Sequence, residues 1–516
     1  MREFLKGLKF NINIPFLFVS LLHFAATFFN DTIAFKGEDF LSNKVYYFIK
    51  FILFAILVLF WQLVAFGIKK IKEKDETAIL FIRYFFIYFL IMFVFLLLTW
   101  PGVWRADDFS TYYFARMLLF DFWQHWLMSV FDMISLSMIP FPVGIVINQI
   151  FLISVVVGYI ISQFHLKISS KYAFLLFIPL LFPSVVSNNL CPVRLILFGY
   201  CEVLLFSILA FKYIDKTKLS MKNIFIIGVL TSFISTIRAE SLFFIIAIPV
   251  LVIVLFFDQV KWKKLVSLIT IISVLTIPII HIQNLGLKDK KYLITGFIEP
   301  LANIVKTDFK SNNKQKDIEI IDHVIDYQLL QEKTGTKAFD QKGSVKNSDK
   351  ESVYALLFTY LKLVYYNFPV FAKERIKSFT DAIHVVITDN PDSFRSRMYH
   401  PEDFPNKPFD TDLRFAVVKF LECRKQSDFY QYNSLFKFFY NPVINLSILL
   451  GLLILGIFKK SKLLISIPLI LVIQNIITIL TMVCQSFWYF FPSLICSYLF
   501  LTMVILYWFE KKTKQL

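Results

Sequence analysis

At 516 residues, 57% of them hydrophobic and 62 of them phenylalanine, with a mean hydropathy of +0.65, the chain is too apolar for a soluble domain, in which about 45–50% of residues are apolar. Its net charge of +17 would suit nucleic acid. The excess lies largely in short loops between apolar runs, which excludes that class and reads as membrane topology. The five cysteines are odd in number and show no CxxC spacing, so no disulfide framework or zinc site is indicated.

In chain order, apolar segments fall at 12–29, 46–68, 79–99, 143–164, 172–187, 195–211, 223–237, 241–257, 265–282, 442–458, 463–482 and 491–509. A helix needs about 20 mostly apolar residues to cross the hydrocarbon core. The pattern therefore predicts an all-α integral membrane protein of about twelve transmembrane helices. Arg2, Lys6 and Lys9 precede the first run as in a signal peptide, but no convincing cleavage site follows, so the run is expected to stay as a first span.

Orientation follows from the lysines. With the N-terminus cytoplasmic, the inside loops hold Lys69, Lys70, Lys72 and Lys74, then Lys212, Lys216, Lys218 and Lys222, and later Lys459, Lys460 and Lys462. The short outer loops hold only Lys36, Lys44, Arg105, Arg116, Arg194 and Arg238. Lys and Arg accumulate on the cytoplasmic side, so both termini are expected in the cytoplasm of a multi-pass cell-membrane protein. Three modules result: 1–282 with about nine helices and an outer loop at 100–142, a large extracytoplasmic loop or small domain at 283–440, and 441–516 with about three helices.

After the third span, the mixture of Arg116, Asp121, Gln124, His125 and Asp132 with apolar residues between Tyr112 and Met138 predicts an interfacial helix, with Trp123 and Trp126 at headgroup level. In the late outer region, Val353 to Tyr366 has helical apolar spacing and is expected along the membrane surface. Thr388 to Ser393 reads as a turn and Pro401 to Pro408 as an irregular loop.

The chemistry concentrates in Trp100-Pro101-Gly102-Val103-Trp104-Arg105-Ala106-Asp107-Asp108, directly after the third span. Ionisable groups near a membrane are costly and are seldom kept without use. Other outer turns add Asn188, Asn189 and Arg194, then Arg238 and Glu240, then Gln485, Trp488 and Tyr489. A carboxylate serves as a general base to a hydroxyl, and arginine presents a planar fork to phosphate. Plainer roles stand beside these. Asp107 and Asp108 cap a helix, Arg105 anchors to headgroups, and Arg238 pairs locally with Glu240. His125 packs at the interface, Asn188 and Asn189 make a turn, and Trp488 and Tyr489 are belt aromatics. The isolated acidic pair indicates no metal site, although an outer acidic site could hold a divalent ion weakly.

The order of these features resembles the GT-C superfamily, integral-membrane glycosyltransferases that use polyprenyl-phosphate-linked sugars. The features are PG-x-W-x-x-D-D after an early helix, His125-Trp126, Arg238-Ala239-Glu240, a large late outer loop, and Trp488-Tyr489-Phe490-Phe491-Pro492 before the final helix. The resemblance to the bacterial members implies that Asp107 or Asp108 is the catalytic base at an extracytoplasmic site. It implies inverting transfer from the lipid-linked donor to a cell-surface polysaccharide, lipid or protein, without a cofactor. Relatives often carry Arg-Tyr where this chain has Trp488-Tyr489, which leaves the donor phosphate to Arg194 or Arg238, with Arg105, His125 and Glu240 as further candidate contacts. A surface-polysaccharide polymerase or ligase shares this layout. A flippase or transporter is the alternative without chemistry, but transporters place charges near the midplane in repeated halves, and here they gather at one surface.

Overall fold

The computed structural model describes residues 13–36, 40–168, 170–287, 290–382, 411–425, 428–432, 434–482 and 487–513. Arg2, Lys6, Lys9, Gln485, the turn expected at 388–393 and the loop expected at 401–408 lie outside them. Among the described residues the chain is helical except for a two-stranded antiparallel hairpin, Arg424–Lys425 with Asp428–Tyr432. Among the described residues, nine helices are long and apolar enough to cross a membrane, or up to eleven if two bent pairs are each one span. The protein is thus a helical, multi-pass type of chain.

Those nine helices coincide with nine of the expected spans, and the other three differ. The segment expected at 172–187 bends by 70° between Tyr172–Leu180 and Pro183–Asn189, because a proline cannot continue a helix and restricts the residue before it. Met221–Ile237 and Pro442–Phe458 are 17 residues each, about 25 Å long, the lower limit for crossing.

The chain forms two compact units: Met1–Ile277 with Ile387–Ile470 and Phe491–Leu516, and Pro278–Val386 with Leu471–Phe490. In the first, α1 (Ile14–Ala34) pairs with α2 (Lys44–Lys72), which Asn43 caps by accepting from Val45 N at 2.9 Å. Lys50 and Asp31 pair at 2.7 Å, with the Tyr46 hydroxyl donating to Asp31 at 2.7 Å, so these buried charges are compensated. Asp75 caps α3 (Glu76–Leu98). Leu80, Tyr84, Tyr88, Met92 and Leu96, four residues apart, form its buried stripe.

The expected interfacial helix is two helices, α4 (Ala106–Arg116) and α5 (Trp126–Met138). Leu118 at φ 52° and His125 at φ 83° break the chain between them. Asp121 accepts from Trp123 N at 3.0 Å and Gln124 N at 3.2 Å, a local turn that outcompetes helix. Trp123 is exposed while Trp126 is buried, and α5 is buried on most of its circumference rather than lying on a surface. α6 (Pro142–His165) packs on α3 so closely that a Cβ at Gly158 would lie 3.0 Å from the Phe85 backbone. The bent pair Tyr172–Leu180 and Pro183–Asn189 leads into α7 (Arg194–Ile214), followed by α8 (Met221–Ile237), α9 (Ala239–Phe256) and α10 (Trp262–Gly286).

The second unit has its own core. Ile298, Leu301 and Val305 of α11 (Ile298–Val305) meet Ile321 and Val324 of α12 (Lys314–Val324) and Val353, Leu356 and Leu363 of α13 (Lys350–Tyr366). The predicted helix at 353–366 is therefore present and half buried in this core, with Phe358 and Tyr365 exposed on the opposite side. The following helix, Phe368–Asp381, bends away by 99°. The outer region expected as one body at 283–440 is divided, because α14 (Asp412–Leu421) belongs to the first unit.

Candidate functional site

Span α3 ends in a turn that presents the acidic motif. Gly102 N donates to Thr99 O at 2.9 Å, and Gly102 sits at φ +111°, a conformation that disfavours side chains. A Cβ there would also lie 2.8 Å from Leu190 O. Val103 N donates to the same Leu190 carbonyl at 3.0 Å. Gln149 of α6 holds that connection from the other side, donating to Asn189 O at 3.0 Å and Cys191 O at 2.7 Å. Arg414 of α14, fully buried, donates to Thr99 O and Trp100 O at 3.2 Å each and to Gly102 O at 2.9 Å. One guanidinium thereby satisfies the carbonyls that a helix end leaves unpaired.

The two adjacent aspartates have different surroundings. Asp107, at the second position of α4, is exposed. Asp108 is buried, and its Oδ2 accepts from Arg105 N at 2.9 Å and from Cys191 Sγ at 3.1 Å. The third position of a helix is where an acidic side chain bonds back to the cap. Arg105 is buried too, donating from Nη2 to Asn188 Oδ1 at 3.0 Å. Asn188 is thus a partner of the motif, while Asn189 donates to Tyr88 and Tyr200 at 2.9 and 2.8 Å and serves packing. At the other end of α4, Arg116 donates to Ala34 O at 3.2 Å and Ile33 O at 3.3 Å, tying the helix to the end of α1.

Burial pushes the Asp108 carboxyl up from 3.8 to about 6, against the pull of Arg105, the Cys191 thiol and the Arg105 N–H, with Asp107 adding to the rise. A raised folded value means that the folded protein holds this proton more tightly than the unfolded chain does. The associated stabilisation is present below about pH 4 and lost as pH rises through about 6. Thermal stability in detergent is expected to fall across that window by on the order of 3 kcal/mol, and D108N to flatten the dependence. An unaltered profile in D108N would assign the ionisation elsewhere.

Further ionisable groups gather at α5. Burial raises the Asp121 carboxyl, which the Gln124 N–H, the Thr111 hydroxyl, the Trp123 N–H and Arg194 pull back. Burial pushes His125 down to about 3, with Arg194 adding to the effect. Burial, then the charges of Asp108 and Asp121, hold Asp132 well above the usual carboxylate range. Asp108, Asp121, Asp132, His125, Arg105 and Arg194 therefore form one electrostatic neighbourhood. Among the described residues no group of three His, Cys, Asp or Glu is placed to hold a metal ion.

α5 also lines an apolar groove of about 360 Å³, formed by Leu127 and Phe131 of α5, Val156 of α6, Leu197 and Leu204 of α7 and Phe233 of α8. Leu127 follows His125 by two residues and Leu197 follows Arg194 by three, so two of the lining residues are close in sequence to the charged cluster. Along α7 it extends about 10 Å.

Of the expected site residues, the structure brings Arg105, Asp107 and Asp108 together and sets His125 beside Arg194, the two groups being linked through Asp121 and Asp132. Arg238 forms an ion pair with Glu240 at the start of α9. Trp488 and Tyr489 lie in the second unit, in the turn Phe487–Phe490, with Tyr489 packed on Ala382, Met482 and Phe490. Sequence reasoning missed Asp132 as a site residue, although an acid among Ser129, Ser135 and apolar neighbours signalled it. It missed Arg414 for want of any local signal. No family model, curated protein or solved structure matches the chain.

Proposed function

We propose that the chain is a membrane glycosyltransferase that moves a sugar from a polyprenyl-phosphate carrier to a cell-surface polysaccharide, lipid or protein on the outer face, with both termini cytoplasmic. The observation that carries this reading is the coupling of buried carboxylates with guanidinium groups on helices that also line an apolar groove. A phosphate at Arg194 would leave its prenyl tail one helical turn from the groove wall.

In this reading an acceptor hydroxyl attacks the anomeric carbon, and its proton passes to a carboxylate. The bond from that carbon to the phosphate oxygen breaks with its electrons on the phosphate, and configuration inverts. Asp107 is the base, since its carboxylate is exposed whereas Asp108 is occupied by the Arg105 N–H and the Cys191 thiol. Arg105 and Arg194 offset the charge that develops on the leaving phosphate. Arg238 serves the helix end through Glu240.

The test is to supply purified, reconstituted protein with polyprenyl phosphates bearing different sugars and to follow donor consumption with cell-envelope acceptor. Cells lacking the protein should lose a side-chain sugar from their surface glycan. Loss of long chains instead would favour a polymerase. If no donor is consumed and the surface glycan is unchanged, the enzymatic reading fails.

A further inference from the structure

Four side-chain polar atoms on α5 and its cap are buried with nothing to bond to among the described residues; two belong to ionisable groups, Nε2 of His125, the cap residue before α5, and Oδ1 of Asp132, the others being the Ser135 and Ser137 hydroxyls. His125 is 3% exposed and Asp132 2%. The His125 Nδ1 accepts from Leu127 N at 3.3 Å. A neutral imidazole that accepts at one nitrogen carries its proton on the other, so Nε2 is a buried N–H donor. The two residues are seven apart, two helical turns, and share a helix face. A buried polar group without a partner destabilises a fold, and such costs are kept where a ligand supplies the missing bond.

The charges acting on Asp132 are those of Asp108 and Asp121, both negative. An anion would be repelled there, and burial favours the neutral form of the Asp132 carboxyl. A protonated carboxyl offers one donor and one acceptor, as an alcohol does. We propose that Asp132 is a specificity-determining residue of the candidate site, exchanging hydrogen bonds with a hydroxyl of the sugar carried by the lipid donor. This rests on the glycosyltransferase reading; the phosphate falls to Arg194 and the sugar to Asp132.

The test compares wild type, D132N and D132L in binding and consumption of a polyprenyl-phosphate-linked hexose that the wild type binds, with bare polyprenyl phosphate as control. Asparagine keeps a donor and an acceptor, so D132N should stay close to wild type. D132L should bind and consume the sugar-bearing lipid about tenfold less well yet bind bare polyprenyl phosphate normally. Its thermal midpoint without ligand should rise, because an unpartnered carboxyl has been removed. The wild type should discriminate against one monodeoxy analogue of the hexose, and D132L should lose that discrimination.

Equal handling of the sugar-bearing lipid by D132L and wild type would overturn the proposal, as would weakened binding of bare polyprenyl phosphate, a lowered thermal midpoint in D132L, or wild type that binds no sugar-bearing lipid. Sugar-bearing lipid bound in an Asp132-dependent way but never consumed would leave this inference standing and remove the enzymatic reading instead.

Discussion

D107N should lower kcat for sugar transfer by about 10²–10⁴-fold, the range that a positioned general base contributes, with little change in KM for the lipid donor. The amide cannot take a proton, yet it fits the same exposed position on α4. D108N is expected to behave differently. Its amide oxygen can still accept from Arg105 N, as Asn does at helix N-termini, so transfer should fall by less than about tenfold. Full transfer by D107N, or a deeper loss in D108N than in D107N, would reverse the roles assigned to the two neighbours. Measuring kcat and KM separately matters, because loss of an interaction made only in the transition state appears in kcat.

The second large effect is expected at a residue that touches no substrate. Arg414 is fully buried and donates to three backbone carbonyls of the turn after α3. R414L would remove the donor from the Trp100 and Gly102 carbonyls, while Thr99 O keeps the Gly102 N–H, at about 1–3 kcal/mol for each buried group left unsatisfied. The thermal midpoint should drop sharply and transfer should vanish with it. R414K should rescue poorly, since an ammonium lacks the planar fork that spans several acceptors. G102A should resemble R414L, because its Cβ would meet Leu190 O at 2.8 Å at a φ of +111°. Wild-type stability in R414L and G102A would mean that the turn holds its shape without them.

How much of this was legible in the sequence follows from the range of each interaction. Spans such as Glu76–Leu98 were readable because length and hydropathy are local properties. The lysine distribution likewise needs no tertiary information. The break between α4 and α5 was hidden, because apolar periodicity continues through it while Asp121 diverts the backbone into a turn. Asp107 and Asp108 were identical by type, and only burial separates them. Arg238 and Glu240 read as site residues because both are charged and outer, but their proximity already allowed the ion pair they form. Arg414 was the least legible: its acceptors are 312 to 315 residues away.

That last separation has a consequence for biogenesis. The turn bearing Asp107 emerges from the ribosome long before Arg414 is translated, and at roughly 5–20 residues per second the interval lasts on the order of 15–60 s. Nascent chains ending before Asp412 would insert their early helices yet keep a loose, proteolysis-prone segment after Leu98. The turn that carries Asp107 thus acquires its final bracing only when nearly the whole polypeptide has been made.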